Sequence, residues 1–393
     1  MSTQSVSRET SVGTPRAPDA WNRGPRIVLL ADTHLGFDYP VHPRVSRRRR
    51  GQDFFDNFQR VLDYAVRTRP DLVVHGGDLF FRSRVPPKVV DLAYETIFKF
   101  GQSGIPLLIV PGNHEWSRLP ASLWLGDANI HVLDRPRTVE IAASGYRIAI
   151  SGFPFVRNDV RQRFGSVLAE TGWEETSADI KLLCVHQAVE GARVGPSNYT
   201  FRSGGDVIKI ADIPQGFAAV LAGHIHRMQI LTRPQPKGEL SIIYPGSIER
   251  TSFAEKDEPK GFFEIKLACD ETGTWGVHEA NFLELPARPM VDIDIDPHIP
   301  PAGLGAYLRG RIADLDKNAI VRLRCAGGLE GSVRAELTAS SLRSVFPRSM
   351  NVQLASELYR EQGVRPGRSE GRRRLRRPTH RRQSGPRINQ LEV

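Results

Sequence analysis

Short apolar runs that stop abruptly at polar clusters recur along the chain: Ile27–Ala31 before Asp32, Leu72–His75 before Gly76, Leu107–Val110 before Pro111 and Leu182–Val185 before His186. Short runs rich in Val, Ile and Leu and bounded by Gly, Pro or Asp predict buried strands. Between them the apolar period changes. Phe54, Phe58, Val61, Leu62 and Ala65 share one face at helical spacing. After Pro86-Pro87, so do Leu92, Ala93, Ile97 and Phe100, before Gly101 and Gly104. This β-α-β-α order predicts an α/β layered domain with polar residues on loops at strand ends, where open α/β sheets bind ligands. From about Asp206 the strands lie closer together, at Ala218–Ala222, Leu240–Tyr244 and Gly261–Leu267, which predicts a second, more antiparallel sheet packed on the first.

The pattern also divides the chain. Residues 1–25 lack periodicity and read as a disordered arm, and residues 26–285 as the main domain. After Pro286-Ala287-Arg288-Pro289, Val291, Ile293 and Ile295 alternate with Asp292, Asp294 and Asp296, the pattern of a half-buried strand. A helix around Leu304–Leu315, a strand at Ile320–Cys325 and a helix near Ala335–Val345 complete a small α/β module over 288–350. Residues 365–393 form an Arg-rich, low-complexity tail read as disordered.

Composition narrows the classes. With 393 residues, 40% of them hydrophobic, the chain can bury a large core. It has no apolar run of about 18 residues and no apolar signal core near its start, so neither a membrane span nor a secretory signal is expected, and the location expected is cytoplasmic. Cys184, Cys269 and Cys325 are few and far apart, which fits reduced core thiols. The tail carries ten arginines against Glu370 and Glu392, a net of +8 out of the chain's +10. The body is therefore nearly neutral, and total charge does not by itself identify a nucleic-acid partner. The tail reads either as a DNA-binding arm or as inert.

Candidate chemistry stands at the strand ends, in Asp32-Thr33-His34, Gly77-Asp78, Gly112-Asn113-His114, His186 and Gly223-His224-Ile225-His226. Two carboxylates, one amide oxygen and five imidazoles are about what two adjacent divalent cations require when one carboxylate is shared. A mixed N/O set without thiolate suits Mn, Fe or Zn better than Mg or Ca, with Mn the first expectation. Two such ions roughly 3.5–4 Å apart can bind the oxygens of a phosphodiester and generate hydroxide at neutral pH. Singly, each residue has a plainer reading: an Asp at a strand end is more often a turn residue or cap. The ordered set outweighs that reading.

Asp32-x-His34, Gly76-Gly77-Asp78, Gly112-Asn113-His114 and Gly223-His224-x-His226, with His186 alone after a strand, resemble the calcineurin-like metallophosphoesterase superfamily over about residues 26–265. Ala31-Asp32-Thr33-His34-Leu35-Gly36 and Gly77-Asp78-Leu79-Phe80 resemble, more closely, the SbcD-type nuclease subunits. So does Tyr244-Pro245-Gly246-Ser247-Ile248-Glu249-Arg250, running on to Phe253, Glu255, Lys260 and Gly261. The resemblance implies a layered sandwich of two packed mixed β-sheets flanked by helices, with a small α/β capping domain over 288–350. It implies that Asp32, His34, Asp78 and His226 hold one metal and Asp78, Asn113, His186 and His224 the other, with Asp78 bridging. His114 would then serve as general acid or transition-state donor, or as a hydrogen-bond partner behind the ligands.

Two positions depart from the SbcD pattern. Glu115 stands where those relatives carry Asp, and Phe81 where a His or other polar residue near the substrate is common, which leaves exonuclease polarity open. In the loop after Asp32, Arg47, Arg48, Arg49 and Arg50 are candidate phosphate contacts, with Phe37 and Tyr39 to stack on bases; a solvated charge run is the alternative. No Gly-x-x-x-x-Gly-Lys-[Ser/Thr] loop occurs. The resemblance therefore implies a separate SbcC-type coiled-coil ATPase as partner, DNA as substrate and a homodimer.

The function expected is a two-metal DNA nuclease, exonuclease or endonuclease, in repair or recombination. A phosphoesterase acting on cyclic nucleotides or phosphoproteins is the alternative. A non-catalytic scaffold is disfavoured by the filled ligand positions.

Overall fold

The computed structural model describes residues 22–38, 49–115, 119–120, 127–236, 238–325, 329–355 and 358. The expected arm over 1–25, apart from its last few residues, and the tail over 365–393 lie outside the described residues.

Two six-stranded sheets pack face to face. The first runs β16-β15-β1-β2-β3-β4, built from β1 (Asn22–Leu30), β2 (Leu72–His75), β3 (Leu107–Ile109), β4 (Ile130–Val132), β15 (Gly261–Cys269) and β16 (Trp275–Glu284). The second runs β13-β14-β12-β7-β6-β5, from β5 (Arg137–Ala143), β6 (Tyr146–Phe153), β7 (Ile180–His186), β12 (Ala219–Gly223), β13 (Gln229–Pro234) and β14 (Glu239–Tyr244). Short pairs, β8 (Ala188–Val189) with β11 (Val207–Ile208) and β9 (Arg193–Val194) with β10 (Tyr199–Thr200), decorate the second sheet.

Strands covered on both faces explain the unbroken apolar runs. In β1, Val28 and Leu30 pack under α1 (Arg50–Thr68) and α2 (Pro87–Gly101), while Ile27 and Leu29 face the second sheet. In β7, Leu182 and Cys184 face inward, and Leu183 and Val185 pack under α3 (Val160–Ala169). The buried face of α1 is the expected one. That of α2 is Val89, Ala93, Ile97 and Phe100, whereas Leu92, one residue and so about a quarter turn from Ala93, is 37% exposed.

The second sheet differs from expectation. It begins at Arg137, includes β7, and is parallel through its centre (β6-β7-β12-β14), with antiparallel pairs only at its edges. Gly261–Cys269 instead returns to the first sheet, antiparallel to β1 with Ile27 opposite Ile265. Close spacing in sequence suggested hairpins, but β12 and β14 reach parallel contact because β13 folds back along the outer edge.

A third, parallel sheet, β17 (Met290–Asp294), β18 (Ile320–Arg324) and β19 (Asn351–Leu354), has its own core with α4 (Leu304–Ile312). The expected helix near 335–345 is two short ones, α5 (Gly331–Glu336) and α6 (Ala339–Val345). Leu337 leaves helical geometry between them, and the Thr338 side chain accepts from the Ser341 amide at 3.1 Å, starting a new helix. None of the three cysteines forms a disulfide, and no helix among the described residues is long and apolar enough to cross a membrane.

Candidate metal centre

Parallel strands end at a common edge, so the two sheets deliver their polar termini to one place. The loops after β1, β2 and β3 carry Asp32, Asp78 and Asn113, and opposite them β7 ends on His186 and the loop after β12 carries His224 and His226. The backbone turns sharply to do this. Asp32, His34, Asp78 and His224 all have left-handed φ, at 52°, 43°, 54° and 88°. Each non-glycine residue held there costs on the order of 1–3 kcal/mol and persists only where its surroundings over-determine it. Here the β1 loop is laid on the β2 loop: the Asp32, His34 and Leu35 amides donate to the carbonyls of Gly77, Asp78 and Leu79 at 2.8, 3.0 and 2.8 Å. Below them His75, kept neutral by burial, accepts the Gly77 amide on Nδ1 and donates from Nε2 to Thr33 Oγ1.

The glycines permit close approach. A Cβ on Gly112 would fall 2.1 Å from Asp78 Oδ1, and one on Gly77 2.2 Å from His186 Nδ1.

The structure brings every predicted ligand together. Ligand atoms of Asp32, His34 and His226, of Asp32, Asp78 and His186, and of His34, Asp78 and His114 form groups whose members lie within 4.8 Å of one another. Asn113 Oδ1 joins them, 3.1 Å from His186 Nε2 and 2.9 Å from His224 Nδ1. Asp32 accepts the His224 amide, and Asp78 the His114 amide at 2.9 Å, so each carboxylate is tethered by backbone.

The donor set fits a cation. His226 Nδ1 donates to Glu255 at 3.3 Å, which in the neutral ring leaves a lone pair on Nε2, and that atom faces His34 Nε2 at 2.9 Å. In either tautomer the buried Nδ1 of His34 has no partner, and when both rings are neutral and His34 is protonated on Nδ1 the two Nε2 lone pairs oppose each other. A cation shared by the two Nε2 atoms relieves that opposition. His186 repeats the pattern: Nδ1 donates to the Gly76 carbonyl at 2.8 Å, and Nε2 faces only acceptors, Asn113 Oδ1 and Asp78 Oδ2. Burial alone would lower the His186 pKa, but Asp78 and Asp32 outweigh it and raise it to about 9, so in the metal-free centre a proton stands where a cation fits. His224, by contrast, is pushed down to about 3 by burial and by His186, and stays neutral.

His114 sits at the mouth, with 32% of its side chain exposed. Its Nδ1 pairs with the Phe81 carbonyl at 2.6 Å, and its Nε2 is 3.8 Å from Asp78 Oδ2. The Phe81 ring packs against His34, Phe37 and His114, with Arg82 over its outer face. Glu115 is buried and clasps two loops, accepting the Phe80 amide at 2.6 Å and the Gly112 amide at 2.7 Å; burial and Asp78 raise its pKa to about 8.

Of the predicted basic contacts, Arg47 and Arg48 lie outside the described residues. Arg49 pairs with Asp38 at 2.5 Å. Arg50 departs from the expectation: it is 6% exposed, lies over the Phe37 ring and donates to the Arg250 carbonyl, so its charge is turned into the protein.

Sequence reasoning assigned no role to Glu255 or Lys260. Lys260 is fully buried and donates to Glu255 at 2.6 Å and to the His226 carbonyl at 2.9 Å. The only signal was their place in the segment running on from Tyr244.

Residues 25–228 match the calcineurin-like phosphoesterase family, and the chain belongs to it. That membership and the donor cluster make this a metal-dependent phosphoesterase, a hydrolase using divalent ions. Within the family the chain is similar to proteins named DNA double-strand break repair protein Mre11, the SbcD-type nuclease. The Methanocaldococcus jannaschii protein is 26% identical over 277 residues, covering 68% of this chain and 69% of the relative. The Methanococcus maripaludis protein is 24% identical, covering 62% and 64%. The Methanosarcina mazei protein is 30% identical, covering 67% and 40%. The chain thus spans less than two thirds of the length of several of these relatives.

Proposed function

We propose that this chain is the nuclease subunit of a DNA break-processing assembly, hydrolysing phosphodiester bonds with two divalent ions, Mn first among Mn, Fe and Zn. The observation that carries the reading is the extent of the likeness to Mre11 proteins. It runs over 277 residues in the first relative, well beyond the phosphoesterase match at 25–228. In this reading residues 26–285 are the catalytic domain and 288–350 a cap. Asp32, His34, Asp78 and His226 hold one ion, and Asp78, Asn113, His186 and His224 the other.

When bound, such a pair binds phosphodiester oxygens and lowers the pKa of a water. The chain's own residues supply the rest. Asp78, tethered through the His114 amide, is shared between the two halves. His114, oriented by the Phe81 carbonyl, offers Nε2 at the open face to protonate the leaving oxygen. The exposed Arg82 and Arg84 are the nearby cations for flanking phosphates, while Arg49 is held by Asp38. A coiled-coil ATPase of the SbcC type, a homodimer and a cytoplasmic location belong to the same proposal.

The test is Mn-dependent digestion of labelled single-stranded, blunt and hairpin DNA, run beside bis(p-nitrophenyl) phosphate, a cyclic nucleotide and a phosphopeptide. DNA cleavage abolished by chelator and restored by Mn is expected. Hydrolysis of the cyclic nucleotide or phosphopeptide with DNA untouched would favour a different substrate for the same centre.

A further inference from the structure

His226 is held from behind by a segment that the third sheet grips. Glu255 Oε1 receives His226 Nδ1 at 3.3 Å and Thr251 Oγ1 at 2.5 Å, while Glu255 Oε2 receives Lys260 Nζ at 2.6 Å. A carboxylate in that position fixes the imidazole's tautomer and orientation and raises the basicity of its other nitrogen. Glu255 is the last residue of a single 3-10 turn, Phe253–Glu255, so neither of its flanks can shift without carrying it along.

Both flanks are held by one cross-strand pair. On β17 and β18, Asp292 and Arg322 stand directly opposite each other and are joined at 2.6 Å. The Arg322 guanidinium lies over the Phe253 ring, 4.3 Å from its centroid, and the second Asp292 oxygen accepts from Lys256 Nζ at 3.1 Å. The pair thus touches the turn at two points on either side of Glu255.

We propose that Asp292 and Arg322 form a positioning device for His226, acting through Phe253, Lys256 and Glu255, so that the seating of the third sheet sets the metal affinity of one half of the centre. The inference rests on the two-metal reading above. A macromolecular substrate or partner that displaces the third sheet would then change activity without touching a ligand. Arg322 and Asp292 are positioning residues here, and touch neither metal nor substrate.

The experiment is calorimetric titration of the purified full chain with Mn, alongside thermal melting. Glu255→Gln should weaken one of the two ions by about 10- to 100-fold. Arg322→Ala should weaken the same ion by about 2- to 30-fold, the range of couplings carried through packed contacts. The double variant should bind no worse than Glu255→Gln alone, because both changes act along one route, whereas general destabilisation would add. Asp292→Asn provides the second break in the same route if Arg322→Ala fails to fold. Arg311→Ala, over the Tyr307 ring elsewhere in the module, should leave both ions unchanged. Wild-type affinity in both Arg322→Ala and Asp292→Asn, or additivity in the double variant, would overturn the device while leaving the metal centre standing. A wild-type chain that takes up no Mn would remove the two-metal reading itself, and the device with it.

Discussion

Gly112→Ala is the smallest change that tests whether Asp78 is where the chemistry is organised. Gly112 lies between β3 and Asn113, and a Cβ there would fall 2.1 Å from Asp78 Oδ1 and 2.4 Å from the Asp78 backbone nitrogen, where ordinary contact begins at 3.4 Å. The carboxylate could rotate away, but the backbone nitrogen could not. The Asp78 loop must therefore move by roughly 1 Å, and its bond to the His114 amide is lost with it. A misplacement of about 1 Å costs on the order of 10²-fold in rate, and overpacking of this kind destabilises by about 1–3 kcal/mol. We expect kcat/KM for bis(p-nitrophenyl) phosphate in Mn to fall by about that factor, with weakened Mn binding, in a protein that still folds cooperatively. Gly104→Ala is the control: φ is +77° and no atom lies within 4 Å of its Cβ, so it should cost about 1–2 kcal/mol in backbone strain and nothing in kcat/KM. Gly112→Ala turning over at the wild-type rate with normal Mn affinity would refute the argument, because the centre would then tolerate displacement of Asp78.

Other expectations follow from the same geometry. His114→Ala should keep its metal and lose about 10²–10⁴-fold in turnover, the scale of a positioned acid; metal loss in that variant would make His114 a ligand instead. Lys260→Met should cost about 3–5 kcal/mol at neutral pH by stranding Glu255 in the interior. In the wild type His226 and Lys260 outweigh burial and hold Glu255 well below the usual carboxylate range, so its contribution is present above that range and fades as pH falls. The variant's deficit in denaturant unfolding should therefore narrow in acid, and a deficit independent of pH would contradict this. Metal uptake at pH 7 should displace a proton from His186, whose pKa stands near 9 in the metal-free centre. The calorimetric heat should then vary with the buffer's ionisation enthalpy, and apparent affinity should rise from pH 7 towards 9; a heat independent of buffer would count against it.

Much of the centre was legible because the chain writes it locally. Each candidate ligand follows an apolar run by one to a few residues, and burial of β1 and β7 on both faces is why those runs are continuous. What stayed hidden depends on partners distant in sequence. Gly261–Cys269 reads as a neighbour of Leu240–Tyr244, yet pairs with Ile27–Leu29 because its apolar residues complete the inner face of the first sheet. Leu92 counts as apolar in any periodicity, but the packed row starts at Val89. Arg50 looked like one more cation in a basic run, and only the fold shows the Phe37 ring and the Arg250 carbonyl that occupy it. Glu255 and Lys260 are a charged pair five residues apart, indistinguishable in sequence from a surface pair until burial places them against His226.

The most direct test is the number of Mn ions bound per chain, measured by metal analysis after gel filtration, in wild type and in Asp78→Asn. A cage built around one shared carboxylate predicts two ions per wild-type chain and loss of both in the variant. A single ion in the wild type, or an Asp78→Asn chain that keeps both, would contradict the account.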